Sequence, residues 1–176
     1  MDPTPFHDLP RPDDGQTPWG DDYRAAMGII DSKLPFVQAT LWGFGNAANT
    51  PIDVAETYVV PTITTQGASP CGCVEFPGGP RMDYANATPR VGTVVATVTL
   101  DPAGNNKVFR VALFRNGTLV ESAQGRVRVG SGGDIAQATV HGIVELEEGD
   151  ELDVRVGNWS DTTDVVVVDL SLTLRA

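Results

Sequence analysis

From Val91 onward the chain alternates between short β-branched runs and clusters of turn residues, and this pattern limits the fold more than any other feature. Val91–Leu100 ends at Asp101-Pro102-Ala103-Gly104-Asn105. Val108–Arg115 sets Phe109, Val111 and Leu113 against Arg110, Ala112 and Phe114, and closes on Asn116-Gly117, a pair suited to the positive φ values of a tight hairpin. Thr118–Gln124 and Arg126–Val129 flank Gly125 and run into Gly130-Ser131-Gly132-Gly133. Asp134–Leu146 carries Ile135, Val140, Ile143 and Val144 up to the charged turn Glu147-Glu148-Gly149-Asp150. Glu151–Val156 alternates Leu152, Val154 and Val156 with Glu151, Asp153 and Arg155, and Val165–Leu174 comes after a turn at Gly157–Asp161. A period of two gives each run one apolar face. So many half-apolar strands in succession bury those faces by stacking two sheets or closing a barrel. The pattern predicts an all-β antiparallel sandwich over residues 81–176, with one or two strand pairs from residues 36–63 and 81–84 completing its sheets. No internal repeat points to a solenoid or propeller.

The first 80 residues read differently. At 176 residues and 41% hydrophobic content, the chain has room for one packed domain and a short appendage. Residues 1–35 are predicted as an extended arm and then one short helix. Pro3, Pro5, Pro10, Pro12 and Pro18 exclude helix and central strand from the arm. Phe6, Leu9 and Trp19 are spaced along it as apolar anchors, which either dock on another surface or fold back on the chain's own core. Asp21 and Asp22 suit a helix N-terminus, Tyr23, Met27, Ile30 and Leu34 form one stripe, and Pro35 ends it. A helix of about 14 residues is marginal by itself, so it must pack on something. Residues 36–80 read as a β-rich connecting region. Its apolar runs Phe36–Phe44 and Ile52–Ile63 precede a loop marked by Gly67, Pro70, Gly72, Pro77, Gly78, Gly79 and Pro80.

Charge and composition exclude several function classes. The net charge of −11 argues against nucleic acid and against an anionic membrane surface. No segment has the roughly 18 apolar residues of a membrane helix, so membrane insertion is not expected. The acidic, proline-rich start lacks the pattern of an export signal, so synthesis in a cytoplasm is expected. Cys71-Gly72-Cys73 is too closely spaced for an unstrained disulfide and reads as two reduced thiols in a loop. His7 and His141 lie far from these thiols, so no metal site is expected. Carboxylates at Asp13-Asp14, Asp21-Asp22 and Glu147–Glu151 lack calcium-loop spacing and read as solvated turns. There is no nucleophile elbow or phosphate-binding loop, and His141 reads as a structural residue in an apolar strand. The expectation is a non-enzymatic chain without cofactor. Asn86-Ala87-Thr88, Asn116-Gly117-Thr118 and Asn158-Trp159-Ser160 read as turns rather than glycosylation sites. Trp159, at a turn tip, suits contact with sugar or protein, or packing under a neighbouring loop.

The segment from Gly79 to Ala176 resembles a domain of phage tail fibres, head fibres and decoration proteins, similar in fold to the tumour-necrosis-factor and complement-type jelly roll. Arg81-Met82-Asp83-Tyr84 with Ala87-Thr88-Pro89-Arg90 looks like the first strand and turn of that domain. Phe109–Arg115 with Asn116-Gly117 looks like its central hairpin, and Ile143–Leu146 with Glu147-Glu148-Gly149-Asp150 like its strand ending in a Gly-Asp turn. Leu152–Asn158 and Asp164–Arg175 look like the strand ending in Asn and the long closing strand. The resemblance covers a little over half the chain. Residues 36–80 match no part of the pattern.

This resemblance implies a homotrimer at a virion surface, assembled in the host cytoplasm, with one end fixed to the particle. The particle-anchor candidates are Phe6, Leu9, Trp19, Tyr23, Met27, Ile30 and Leu34. The unbroken run Val165, Val166, Val167 and Val168 predicts cover on both faces. A neighbouring subunit would supply one of those covers, making these four the trimer-interface candidates; a central strand within one sandwich is the other reading. Asn116, Gly117 and Trp159 are the distal-loop candidates. The implied partner is a major capsid protein or another virion component. The alternative is a tail-fibre or baseplate tip that binds a host-surface receptor, such as a glycan, through its loops. A cellular trimeric ligand is disfavoured by the N-terminus, and a cupin-like enzyme by the scarcity of histidine.

Overall fold

A computed structural model describes residues 37–69, 74–130 and 134–176. The arm, the short helix, the Cys71–Cys73 loop and Ser131–Gly133 lie outside the described residues. The described part is all β: β1 (Gln38–Gly43), β2 (Asn49–Thr50), β3 (Gly67–Ser69), β4 (Val74–Glu75), β5 (Arg81–Tyr84), β6 (Arg90–Pro102), β7 (Lys107–Arg115), β8 (Thr118–Val129), β9 (Ala136–Leu146), β10 (Glu151–Asn158) and β11 (Val165–Arg175). Two antiparallel sheets stack as a sandwich. Sheet A runs β3-β1-β11-β6-β9, with β2 also on β11, and sheet B runs β4-β5-β10-β7-β8.

Each sheet buries its inner face by simple alternation. Val94, Ala96, Val98 and Leu100 of β6 meet Phe109, Val111 and Leu113 of β7 in one core with Leu152, Val154 and Val156 of β10. All ten of these side chains are at most 1% exposed. The hairpin at Asn116-Gly117 takes the expected positive φ at both residues, 51° and 73°.

The stretch read as a β-rich connecting region supplies β1, which lies between β3 and β11 in sheet A, and the compact unit spans Val37–Ala176. The run Ile52–Ile63 is not a strand. Its contribution is one bridge, Val59 to Val156, which continues the pairing of β10 beyond the short β5. Within the single chain the valine run alternates. Val165 and Val167 point into the core and are fully buried, whereas Val166 and Val168 are half-buried on the outer side. A register shift between Val167 and Asp169 places a bulge at Val168, so the run alternates like any half-covered strand and then skips one step.

The sheets pinch together along one edge. A Cβ on Gly125 of β8 would lie 2.8 Å from Val140 Cγ1, and one on Gly142 of β9 would lie 2.9 Å from Ala123 Cβ. Packed sheets normally stand about 10 Å apart, so these two glycines let the edge strands β8 and β9 close the sandwich.

Candidate functional site

The strand registers define two ends of the sandwich. Val37 pairs with Ala176 at one end, where the Asn116-Gly117 hairpin and the Glu147–Asp150 turn also lie. At the far end stand the Asp101–Asn106 turn, Trp159 and the start of β11. Asn116 and Gly117 are therefore separated from Trp159 by the length of β7, so the three distal-loop candidates do not form one surface.

The near end is closed by a buried carboxylate. Asp150 accepts hydrogen bonds from Glu147 N at 2.7 Å, Asn116 Nδ2 at 2.6 Å and Arg115 Nε at 3.0 Å. Asn116 Oδ1 in turn accepts the Glu151 N–H at 2.9 Å. Burial pushes the Asp150 carboxyl up, but the donors on Glu147, Asn116 and Arg115 outweigh it and hold the group below its ordinary value.

Side-chain amides do similar work elsewhere. Asn46, 2% exposed, donates to the carbonyls of Thr62 and Val167, both at 2.9 Å, and accepts from Thr64 N and Oγ1. It ties the two loops flanking β2 to the bulge of β11. Asn158, fully buried, donates to Asp161 Oδ1 and the Thr163 carbonyl and accepts from Ser160 N and Asp161 N. Asp161 also pairs with Lys107, and that hydrogen bond with the Thr163 N–H holds its carboxyl well below the usual range. From sequence these positions read only as turn residues; the signal available was polar side chains at strand ends.

Trp159 packs rather than projects. It is half-buried, 4.8 Å from the Tyr58 ring, with the Arg110 guanidinium 4.7 Å from its centroid. Tyr58 meets Phe114 edge-on at 5.4 Å, and Arg155 covers Phe114 at 4.2 Å. The segment around Thr57–Val59 thus covers part of the outer face of sheet B.

The outer face of sheet A is different. Its centre carries threonine pairs beside His141: Thr40 and Thr173 share a hydrogen bond across strands, as do Thr97 and Thr139. Large apolar side chains stand out on it: Val91 is 65%, Val95 37% and Ile143 71% exposed. At the β1 side of this face, Phe44 is 61% exposed beside half-buried Trp42. Over the β8–β9 edge, an open groove is lined by Asn116, Leu119, Val120, Ile143 and Glu145. Of the four trimer-interface candidates, only Val166 and Val168 reach the outer face; Val165 and Val167 are core residues with no surface to offer. The seven particle-anchor candidates, Phe6 to Leu34, fall outside the described residues.

No helix among the described residues is long and apolar enough to cross a membrane. No group of three or more His, Cys, Asp or Glu able to hold a metal occurs among them.

No protein-family model matches this sequence, and no curated protein matches it. Solved structures share its fold. Murine APRIL, in its crystal structure at pH 5.0, aligns with a TM-score of 0.50 and 12% identity, covering 79% of this chain and 99% of that chain. Rabbit GITRL aligns with a TM-score of 0.43 and 14% identity, covering 77% of this chain and 91% of that chain. With its two antiparallel sheets and the agreement with APRIL, the region from Val37 to Ala176 is a jelly roll of the tumour-necrosis-factor type.

Proposed function

We propose that this chain is a non-catalytic structural protein of a virion surface, a homotrimeric capsid decoration or head-fibre protein held to its particle by residues 1–35. The observation that carries the assembly is the outer face of sheet A. In a chain of net charge −11, two copies repel unless they meet through surface that bears little charge. That face has a centre of threonine pairs beside His141, flanked by exposed Val91, Val95 and Ile143 on one side and Phe44 on the other.

The two apolar regions are unlike, so one copy's β8–β9 edge fits against another copy's β1–β11 side. Such a contact is heterologous, and with a threefold rotation it closes into a ring rather than a two-fold dimer. The virion role rests on the order of sequence features from Arg81 to Arg175 and on the apolar, proline-rich arm. Threefold packing also protects the otherwise open edge of the sandwich.

The test has two parts. Light scattering on the purified chain is expected to give the mass of three chains of 18.7 kDa each. A monomer at micromolar concentration refutes the assembly. A chain lacking residues 1–34 is expected to fold but to leave particles undecorated; normal occupancy by that truncated chain refutes the anchor.

A further inference from the structure

We infer that the outer face of β7 and β8 binds an acidic polysaccharide with a carboxylate on successive sugars. This rests on the reading of the chain as a virion-surface protein held to its particle by residues 1–35. Arg110 and Arg126 stand directly opposite each other in the β7–β8 pair, and Arg128 lies two residues on, opposite Val108. Arg126 and Arg128 are exposed. Side chains directly opposite in antiparallel strands lie about 5 Å apart at Cβ, and like charges there destabilise the sheet.

No carboxylate among the described residues forms an ion pair with them. The ion pairs there involve Arg81, Lys107, Arg115 and Arg155, and none involves Arg110, Arg126 or Arg128. Arg110 lies over the ring of Trp159, and Arg128 reaches Asn106 Oδ1 at 3.4 Å. In an acidic chain, three guanidinium groups gathered without an ion-pair partner among the described residues break a local rule that selection for stability alone would correct.

The arrangement suits closely spaced anions. A planar guanidinium accepts a carboxylate in two-pronged fashion, which an ammonium does not, and this strip uses arginine throughout. Cβ atoms about 5 Å apart on the opposed strands set adjacent anion sites that suit successive units of a polymer better than a single free ion. The strip lies on sheet B, on the side of the sandwich away from the outer face of sheet A, so assembly through sheet A leaves it uncovered. It also lies on the half of β7 and β8 away from Val37.

The experiment uses the full chain, free of particles, titrated with polygalacturonate oligomers, neutral dextran and poly-glutamate. Expected are binding of polygalacturonate only, weakened by raising salt, and a loss of about tenfold for Arg126→Gln and more for Arg126→Gln with Arg128→Gln. The same variants are expected to unfold at or above the parent temperature, because the like-charge contact is gone. Equal binding of poly-glutamate, which means charge alone without a sugar site, overturns the inference. So does unchanged affinity in the double variant, or absence of polygalacturonate binding. None of these outcomes depends on particle attachment, so this test and that of the anchor fail separately.

Discussion

Replacing Asp150 by Asn keeps its shape, removes its charge and leaves its donors one acceptor short. In the native chain, Oδ1 accepts from Asn116, and Oδ2 accepts from Arg115 and the Glu147 N–H. An amide has one oxygen. If it serves Arg115 and Glu147, its NH2 faces the Asn116 NH2, and two donors meet. Asn116 cannot turn over to relieve this, because its own oxygen holds the Glu151 N–H. One buried hydrogen bond is lost and the other two lose their charged acceptor. Hydrogen bonds to charged groups contribute about 1.5–3 kcal/mol. The Arg115 side chain is 31% exposed and regains water, so its share is discounted. We expect Asp150→Asn to lose ~2 kcal/mol, or ~6–8 °C in Tm for a domain of this size.

The pH dependence comes from the depressed carboxyl of Asp150. A group lowered in the folded state stabilises above its unfolded value, about 3.9, and that stability is lost as pH falls through its folded value. The gap between parent and variant is therefore full at pH 7 and pH 5 and narrows below about pH 4. Denaturant unfolding across this range measures it. Equal stability at pH 7, or a gap independent of pH, refutes the reasoning.

Other parts of the sandwich carry three further predictions. Gly142→Val drives a side chain into Ala123, whose Cβ stands 2.9 Å from where an added Cβ would sit, and is expected to destabilise by ~1–3 kcal/mol in denaturant melts. Asn46→Ala strips partners from the Thr64 N–H and the Val167 carbonyl and is expected to lose ~2–4 kcal/mol, with faster hydrogen exchange in the loops flanking β2. Ile143→Asp, at a position 71% exposed in the single chain, is expected to change domain stability by less than ~0.5 kcal/mol while light scattering falls to the mass of one chain.

The strands of the second half were legible because a period of two is a local property. β6 to β11 fall on the six runs read from the sequence, and Asn116-Gly117 turns as its composition requires. The hairpin could be read because the φ preference belongs to those two residues and not to their neighbours. Two features turned on pairing partners instead. Ile52–Ile63 looks like a strand, but only Val59 finds a partner, since β5 is short and leaves part of β10 unpaired. The four valines read as a run covered on both faces; within one chain they alternate, Val165 and Val167 inward and Val166 and Val168 outward, and the bulge at Val168 then delays the next inward residue to Leu170.

The sites divide along the same line. Composition and local pattern determined an acidic, sheet-forming chain with turns at defined places and no sequence motif for chemistry. Which side chains share a surface was decided by pairings between residues far apart in sequence. Asn116 and Trp159 went to opposite ends of β7, Arg110 came to lie beside Arg126, and Val91 and Ile143 came to the same face. A strand carries its own alternation, but its neighbours are chosen by burial of the whole core, and that choice is made only when the sheets close.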